Sequence, residues 1–179
     1  YKKSQDLFFV DDENVKYLKK TLKHFKSGKF LSIGINNGRE ILEIQKLVDK
    51  IDWKNTQITG IDLSLSALKK SVNNLIDFNY EPLYGNIKDF SGLNIKTGKM
   101  TSIEENSFDI CLAFTSLQST SLYEDKEEFH FLINNLIKKM KDKSKIIIVV
   151  PNCTIVNGEY IAGGTYIAER EKQDNSFAE

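Results

Sequence analysis

Apolar positions along this chain switch repeatedly between two rhythms, one suited to a helix and one to a buried strand. Over residues 14–25, Val15, Leu18, Leu22 and Phe25 recur at helical spacing, with lysines on the other face and Asp11, Asp12 and Asn14 available as caps. Phe30-Leu31-Ser32-Ile33-Gly34-Ile35 is a short apolar run that stops at Asn36-Asn37-Gly38, as a buried strand does when it ends in a tight loop. Ile41, Ile44, Leu47, Val48 and Ile51 mark a second helix directly after it. The alternation then repeats. Gln57-Ile58-Thr59-Gly60-Ile61-Asp62 reads as a strand ending on an acid, and Leu65, Leu68, Val72, Leu75 and Ile76 as a helix that Ser64 is placed to cap.

Pro82-Leu83-Tyr84 predicts a short strand before Gly85-Asn86, with Pro82 best suited to its first position. Residues 89–106 are a polar, Gly-containing stretch that separates this strand from the next. Phe108-Asp109-Ile110-Cys111-Leu112-Ala113-Phe114 is another apolar run, followed by a helix with Phe129, Leu132, Ile133, Leu136, Ile137 and Met140 on one face. Lys145-Ile146-Ile147-Ile148-Val149-Val150 is too uniformly apolar for a strand wet on one side. Beyond Pro151 the pattern fades, and Tyr160-Ile161-Ala162-Gly163-Gly164-Thr165-Tyr166-Ile167-Ala168 reads as a hairpin.

Apolar strands alternating with helices predict a parallel sheet covered on both faces, because right-handed crossovers lay each helix against it. The expected class is therefore α/β, a three-layer, doubly wound, mainly parallel sheet. The expected organisation is an N-terminal helical segment over residues 1–28, a core over 29–152 and a hairpin or tail over 153–179.

Composition narrows this only modestly. The chain has 179 residues, 25 Lys plus Arg against 25 Asp plus Glu, and two cysteines. A zero net charge draws the molecule toward no polyanion, although the lysines at 16, 19, 20, 23, 26 and 29 make the N-terminal segment locally basic. A solvated helix face and an RNA or phosphate contact both account for them. Cys111 and Cys153 beside apolar runs suit reduced core thiols and a cytoplasmic location better than a disulfide framework. His24 and His130 lack metal-ligand spacing, so no metal is expected. The first residue is not Met, which reads as a trimmed chain or a fragment.

The chemistry is expected beyond the carboxyl ends of the strands, where the winding of such a sheet reverses. Gly34 and Gly38 leave the first strand for a helix, where backbone can approach a ligand closely and helix N–H groups face it. About twenty residues further on, Asp62 ends the second strand, the spacing at which a carboxylate accepts the hydroxyls of a ribose. Asn86 and the Ile87 N–H after the third strand are candidates for an adenine edge, and Leu63 and Phe114 for its apolar faces. Each has a bland alternative: Gly34 and Gly38 as a plain turn, Asp62 as an acid at a helix start, Asn86 as a turn residue.

Taken together, residues from about 30 to 151 resemble the class I, Rossmann-like S-adenosylmethionine-dependent methyltransferases. The family's first motif, an apolar strand usually bearing an acid followed by Gly-x-Gly-x-Gly, corresponds to Phe30-Leu31-Ser32-Ile33-Gly34-Ile35-Asn36-Asn37-Gly38. Its ribose acid falls on Asp62, its adenine-edge position on Asn86, its fourth strand on Phe108 to Phe114 and its fifth on Ile146-Ile147-Ile148-Val149-Val150-Pro151-Asn152. The resemblance implies S-adenosylmethionine as cofactor, methyl transfer to a small molecule or RNA as the activity, and Ser32, Gly34, Asn36, Gly38, Asp62, Leu63, Asn86, Ile87 and Phe114 as cofactor contacts. Gln118 and Tyr123, after the fourth strand, are candidate acceptor contacts; no residue stands out as a general base.

Two positions depart from the family pattern. Ser32 stands where the strand acid is usual and offers no charge to the cofactor's ammonium, and Asn36 stands at the middle glycine, where a left-handed backbone is tolerated but a side chain is added. These departures keep open a non-catalytic, methyltransferase-like subunit or a need for a partner subunit. The insertion between the third and fourth strands and Val149-Val150-Pro151-Asn152 loosely resemble messenger-RNA cap guanine-N7 methyltransferases, whose aromatic-histidine signature is replaced here by Leu117-Gln118-Ser119. A nicotinamide-dependent oxidoreductase would use Asp62 equally well, although the loop lacks the full Gly-x-Gly-x-x-Gly order. The family's closing hairpin is poorly represented after Asn152, which reads as truncation at the C-terminus.

Overall fold

The computed structural model describes residues 12–114, 126–156 and 159–171. Four helices and eight strands follow in the order α1 Asp12–Thr21, β1 Lys29–Ile33, α2 Arg39–Leu47, β2 Gln57–Asp62, α3 Leu65–Asn74, β3 Asn79–Tyr84, β4 Ser91–Asn94, β5 Lys99–Ser102, β6 Phe108–Phe114, α4 Lys126–Lys139, β7 Met140–Val156 and β8 Glu159–Glu171. The strands form one sheet in the order β5-β4-β3-β2-β1-β6-β7-β8. β1 lies at its centre, parallel to β2 from Lys29↔Gln57 to Ile33↔Ile61 and parallel to β6 from Phe30↔Ile110 to Ile33↔Ala113. The winding starts outward through β2 and β3, then returns to β6 on the other side of β1, so the reversal sits where expected.

Both faces are apolar because both are covered. On one face Phe30, Ile35, Ile58, Ile110 and Leu112 pack with Leu18 and Leu22 of the N-terminal segment, Ile41 and Ile44 of α2, and Leu68 of α3. On the other, Leu31, Ile33, Ile61, Leu83, Cys111 and Ala113 pack with Leu132, Ile133 and Leu136 of α4. Alternation along the central strands β1, β2 and β6 thus sends most side chains of both faces into a core, which is why these strands read as largely apolar runs. Fully burying each Leu or Ile contributes about 1.5–3 kcal/mol. Burial also pushes the Cys111 thiol well above its usual range, so it behaves as a core hydrophobe.

Two expectations need correction, and the polar residues 89–106, which the apolar rhythm left unassigned, contain regular structure: β4 and β5 form an antiparallel hairpin that extends the sheet from β3. The loop between them is built by Asn94, whose side-chain oxygen accepts from the Lys96 and Thr97 N–H groups at 3.0 and 3.2 Å, and by Gly98, which supplies a φ of 71°. Pro82 is not the first residue of its strand but lies inside β3. Its carbonyl accepts from the Ile95 N–H at 3.1 Å on the β4 side, so its hydrogen-free nitrogen also faces away from β2 and the parallel ladder loses nothing. Finally, the stretch from Tyr160 to Ala168 is no hairpin by itself. It lies within β8, whose antiparallel partner is β7 from Lys145↔Glu171 to Val156↔Glu159.

The first helix also starts and stops earlier than its periodicity suggests, at Asp12 and Thr21, while Leu22 and Phe25 are held by turn hydrogen bonds to Leu18 and Leu22 carbonyls. The lysines at 16, 19, 20, 23 and 26 are exposed, as on a solvated face. Among the described residues no helix is long and apolar enough to cross a membrane, and no group of three or more His, Cys, Asp or Glu comes together.

Asn94 also donates to Glu81 at 3.2 Å, linking the hairpin loop to β3. Replacing it with Ala removes the acceptor for two loop N–H groups as well as that bond, and should destabilise the hairpin by about 1–2 kcal/mol. Hydrogen exchange followed by mass spectrometry should then speed up across residues 91–102 and stay unchanged in β1 and β2; equal protection in both proteins would refute this account of the loop.

Candidate functional site

The carboxyl ends of β1 and β2 finish side by side because the two strands are parallel and in register. Immediately beyond Ile33 the chain must turn sharply into α2, and Gly34 and Gly38 adopt φ of 65° and 78° there. A Cβ on Gly38 would approach Leu75 at 2.9 Å, so close packing on α3 as well as backbone conformation favours glycine at that position. Asn36, at the middle position, takes φ 51°, the left-handed region that Asn tolerates better than most residues, and its side chain is exposed. The substitution of the middle glycine therefore leaves the turn intact.

Four contacts fix the turn. The Gly34 N–H donates to the Ile61 carbonyl at 2.8 Å, and the Gly38 N–H to the Ile35 carbonyl at 2.8 Å. The Asn74 amide of α3 donates to the Asn37 carbonyl at 2.9 Å. The fourth joins the two strand ends: the Asn36 N–H donates to Asp62 Oδ2 at 2.7 Å. Asp62 Oδ1 accepts from the Ser64 N–H, also at 2.7 Å, and Ser64 in turn caps α3 through Ala67 as its position suggested. Each oxygen of the carboxylate thus accepts one hydrogen bond and keeps a lone pair for another donor.

Around this pair the other predicted contacts fall on the same end of the sheet. Leu63 follows Asp62 with 60% of its surface exposed, an apolar side chain that no neighbour covers fully. Gly85 donates to the Asp62 carbonyl at 3.1 Å, which brings the loop after β3 next to it. In that loop the Asn86 side-chain oxygen accepts from the Lys88 N–H at 3.1 Å and caps a 3-10 turn over Ile87–Asp89. The turn chemistry of Asn86 is therefore real, and it uses one lone pair of that oxygen. Ile87 is buried, and Lys88 pairs with Glu128 of α4, anchoring the turn. Phe114 is half-buried at the carboxyl end of β6. Gln118 and Tyr123 lie outside the described residues.

Sequence reasoning passed over Glu40. It stands in the first turn of α2, four residues before the buried Ile44, so its side chain turns back toward β1. Its Oε1 accepts from the Ser32 hydroxyl at 3.4 Å, and Ser32 is buried at the end of β1. Burial pushes the Glu40 carboxyl up to about 8, with the Asp62 charge adding to the rise and the Ser32 hydroxyl and its own backbone N–H opposing it. The signal available in the sequence was its phase: an acid on the apolar stripe of a helix rather than on the wet face.

A separate polar cavity of about 230 Å³ opens at the other end of the sheet, between Lys29, Gln57, Thr59, Glu81 and Ser102. These residues lie at or near the amino ends of β1, β2 and β3 and the end of β5, away from the turn and Asp62.

No family model matches the sequence, and no curated protein matches it. Solved structures do resemble the fold. A Listeria monocytogenes protein described as a candidate S-adenosylmethionine-dependent methyltransferase superposes with a TM-score of 0.55 at 18% identity, over 76% of this chain and 54% of that one. The plantazolicin methyltransferase BpumL, solved with SAH, gives 0.53 at 22% identity over 78% of this chain and 44% of its own. The [4+2]-cyclase SpnF gives 0.56 at 15% identity over 78% and 44%. The chain thus spans about half the length of these structures. At such identities the likeness is one of architecture: this chain has the doubly wound, Rossmann-like α/β fold of the class I methyltransferases.

Proposed function

We propose that this chain is the S-adenosylmethionine-binding core of a methyltransferase. The observation that carries the reading is the 2.7 Å hydrogen bond from the Asn36 N–H to the Asp62 carboxylate, which makes the glycine-bearing turn and the acid one locus at the end of the sheet. The remaining lone pairs of Asp62 fit the two hydroxyls of a ribose, and the exposed Leu63 fits one face of a purine. The backbone of Gly34, Asn36 and Gly38 lets a ligand approach closely; Asn86, the Ile87 N–H and Phe114 complete the adenine side, and Ser32 lies under the amino-acid side.

The cofactor supplies a methyl group on a sulfonium, an electrophile that needs no further activation. What the chain contributes is position: holding the acceptor in line with that methyl is worth several orders of magnitude without any general base. In this reading Asp62 fixes the nucleoside and the rigid turn fixes the sulfonium arm. The acceptor is a nucleophile at the end of β6, and Gln118 and Tyr123 are its proposed contacts. Guanine N7 of a capped RNA is the specific acceptor we infer from the inserted segment between β3 and β6, which folds as the β4–β5 hairpin, and from Val149-Val150-Pro151-Asn152. A partner subunit would offset the two departures at the cofactor turn, the uncharged Ser32 and the side chain of Asn36.

Ser32, an uncharged residue at the usual acid position, favours a second reading, a methyltransferase-like subunit without catalysis. Calorimetric titration with S-adenosylmethionine, S-adenosylhomocysteine and NAD separates the possibilities. The first two should bind at micromolar concentrations and NAD should not; NAD binding alone would establish an oxidoreductase, and silence with all three would leave the scaffold. Replacing Asp62 with Ala removes two charge-assisted hydrogen bonds and should weaken binding a hundredfold or more, about 3 kcal/mol. Circular dichroism and a melting curve should show the variant folded; folded protein with unchanged affinity would remove the ribose assignment. Capped and uncapped RNA with labelled S-adenosylmethionine test the acceptor, and label on neither excludes guanine N7.

A further inference from the structure

A carboxyl group drawn partly out of water without a cation is costly, and the half-buried Glu40 is such a group. Its side chain reaches over the end of β1 to the Ser32 hydroxyl, and no ion pair to it occurs among the described residues. The acid that ends β2, Asp62, accepts from two backbone N–H groups at 2.7 Å, one of them in the turn itself. Glu40 takes the Ser32 hydroxyl and its own backbone N–H but joins no second strand end, and α2 has further support at its start from the Asn37 side chain, which accepts from the Arg39 N–H at 3.2 Å, and the Gly38 carbonyl, which accepts from the Leu42 N–H at 3.4 Å. Asp62 takes the Asn36 N–H inside the turn and Glu40 stands in the first turn of α2 directly after it, close enough for the Asp62 charge to act on the Glu40 carboxyl. A ligand with its ribose on Asp62 and a cation on Glu40 would lie across that turn.

We propose that Glu40 is the carboxylate that receives the ammonium of the cofactor's amino-acid end, a charge displaced from strand β1 to the first turn of α2 and held there by Ser32. This inference rests on the cofactor reading above and names the residue that replaces the missing strand acid. Ser32 keeps a positioning role, donating to the carboxylate that carries the charge. The groups facing Glu40 are Ser32 from β1 and Asp62 from β2, with the Tyr80 phenol of β3 behind, itself held by Ser71 at 2.7 Å. A protonated carboxyl receives an ammonium poorly, and the free protein keeps this proton up to pH of about 8. Affinity for an ammonium-bearing ligand should therefore fall as pH drops below that value.

The test uses the full chain and two probes. S-adenosylhomocysteine carries the amino acid, whereas 5′-methylthioadenosine keeps the nucleoside and sulfur without it. Glu40→Gln, nearly isosteric, should weaken S-adenosylhomocysteine tenfold or more and change 5′-methylthioadenosine less than twofold. It should also abolish the loss of S-adenosylhomocysteine affinity between pH 8 and 6.5. Adding Ser32→Asp to that variant returns a carboxylate to the strand and should restore much of the lost affinity. Equal weakening of both probes would make Glu40 a mere support for the turn and overturn the inference, as would no weakening of either. Binding of neither probe by the unaltered chain would instead bring down the cofactor reading itself.

Discussion

The hydrogen bond between the Asn36 N–H and the Asp62 carboxylate is the contact on which the site depends. Parallel, in-register pairing of β1 and β2 brings Ile33 and Ile61 opposite each other, so the next residues of both strands must leave the sheet together. There the ladder ends and the N–H groups of the turn lose their strand partners, which is costly unless something else accepts from them. The Ile61 carbonyl takes Gly34 and the Asp62 side chain takes Asn36. An acid at that position thus completes the backbone of one turn, starts the next helix through Ser64, and still has lone pairs directed outward. Structural and ligand-binding roles are compatible in one carboxylate, which is why its presence alone does not distinguish them.

The parts of the fold legible in the sequence were those whose side chains all enter a core. β1, β2, β6 and the apolar half of β7 read as strands because both of their faces are covered, and the start of α3 could be placed to the residue because Ser64 caps it, although the helix ends at Asn74 rather than running on to Ile76. The β4–β5 hairpin was missed for the opposite reason. Its residues are largely polar or exposed at a sheet edge, with Met100 in the open, and its turn is dictated by one Asn side chain rather than by a hydrophobic rhythm. Pro82 was misread because its cost depends on which way its nitrogen faces, something only the pairing partner decides. In the site, the turn and Asp62 were legible as spacing. Glu40 was not, because its importance comes from a neighbour eight residues away whose hydroxyl it meets across the strand end.

Ser32 and Glu40 illustrate how a charge can move without leaving a site. A buried carboxylate on a central strand is surrounded by the sheet and has few donors; on the first turn of a helix it gains the favourable end of the helix dipole and its own backbone N–H. The small Ser32 side chain leaves room for the longer Glu40 to reach the same place. Burial still dominates and holds the proton on Glu40 up to a pH of about 8, so near neutrality the position is a neutral acid that a nearby cation would help to ionise. A purely structural residue at that phase of α2 would be expected to be apolar, like Ile41 and Ile44 beside it.

Architecture alone does not choose a reaction, and the solved structures that resemble this chain make that concrete. A plantazolicin methyltransferase and a [4+2]-cyclase superpose on it almost equally well, with TM-scores of 0.53 and 0.56. What a doubly wound sheet does impose is location, since loops at the carboxyl ends of its central strands converge where the winding reverses. Here that convergence joins a turn with three left-handed residues, a carboxylate with spare lone pairs and a half-buried acid without a cation. Such a set has the chemistry that the proposed ligand, a nucleoside bearing a positively charged arm, would need. The proposed acceptor contacts, Gln118 and Tyr123, belong to a different stretch from the proposed cofactor contacts, so cofactor and acceptor are separable questions about the same molecule.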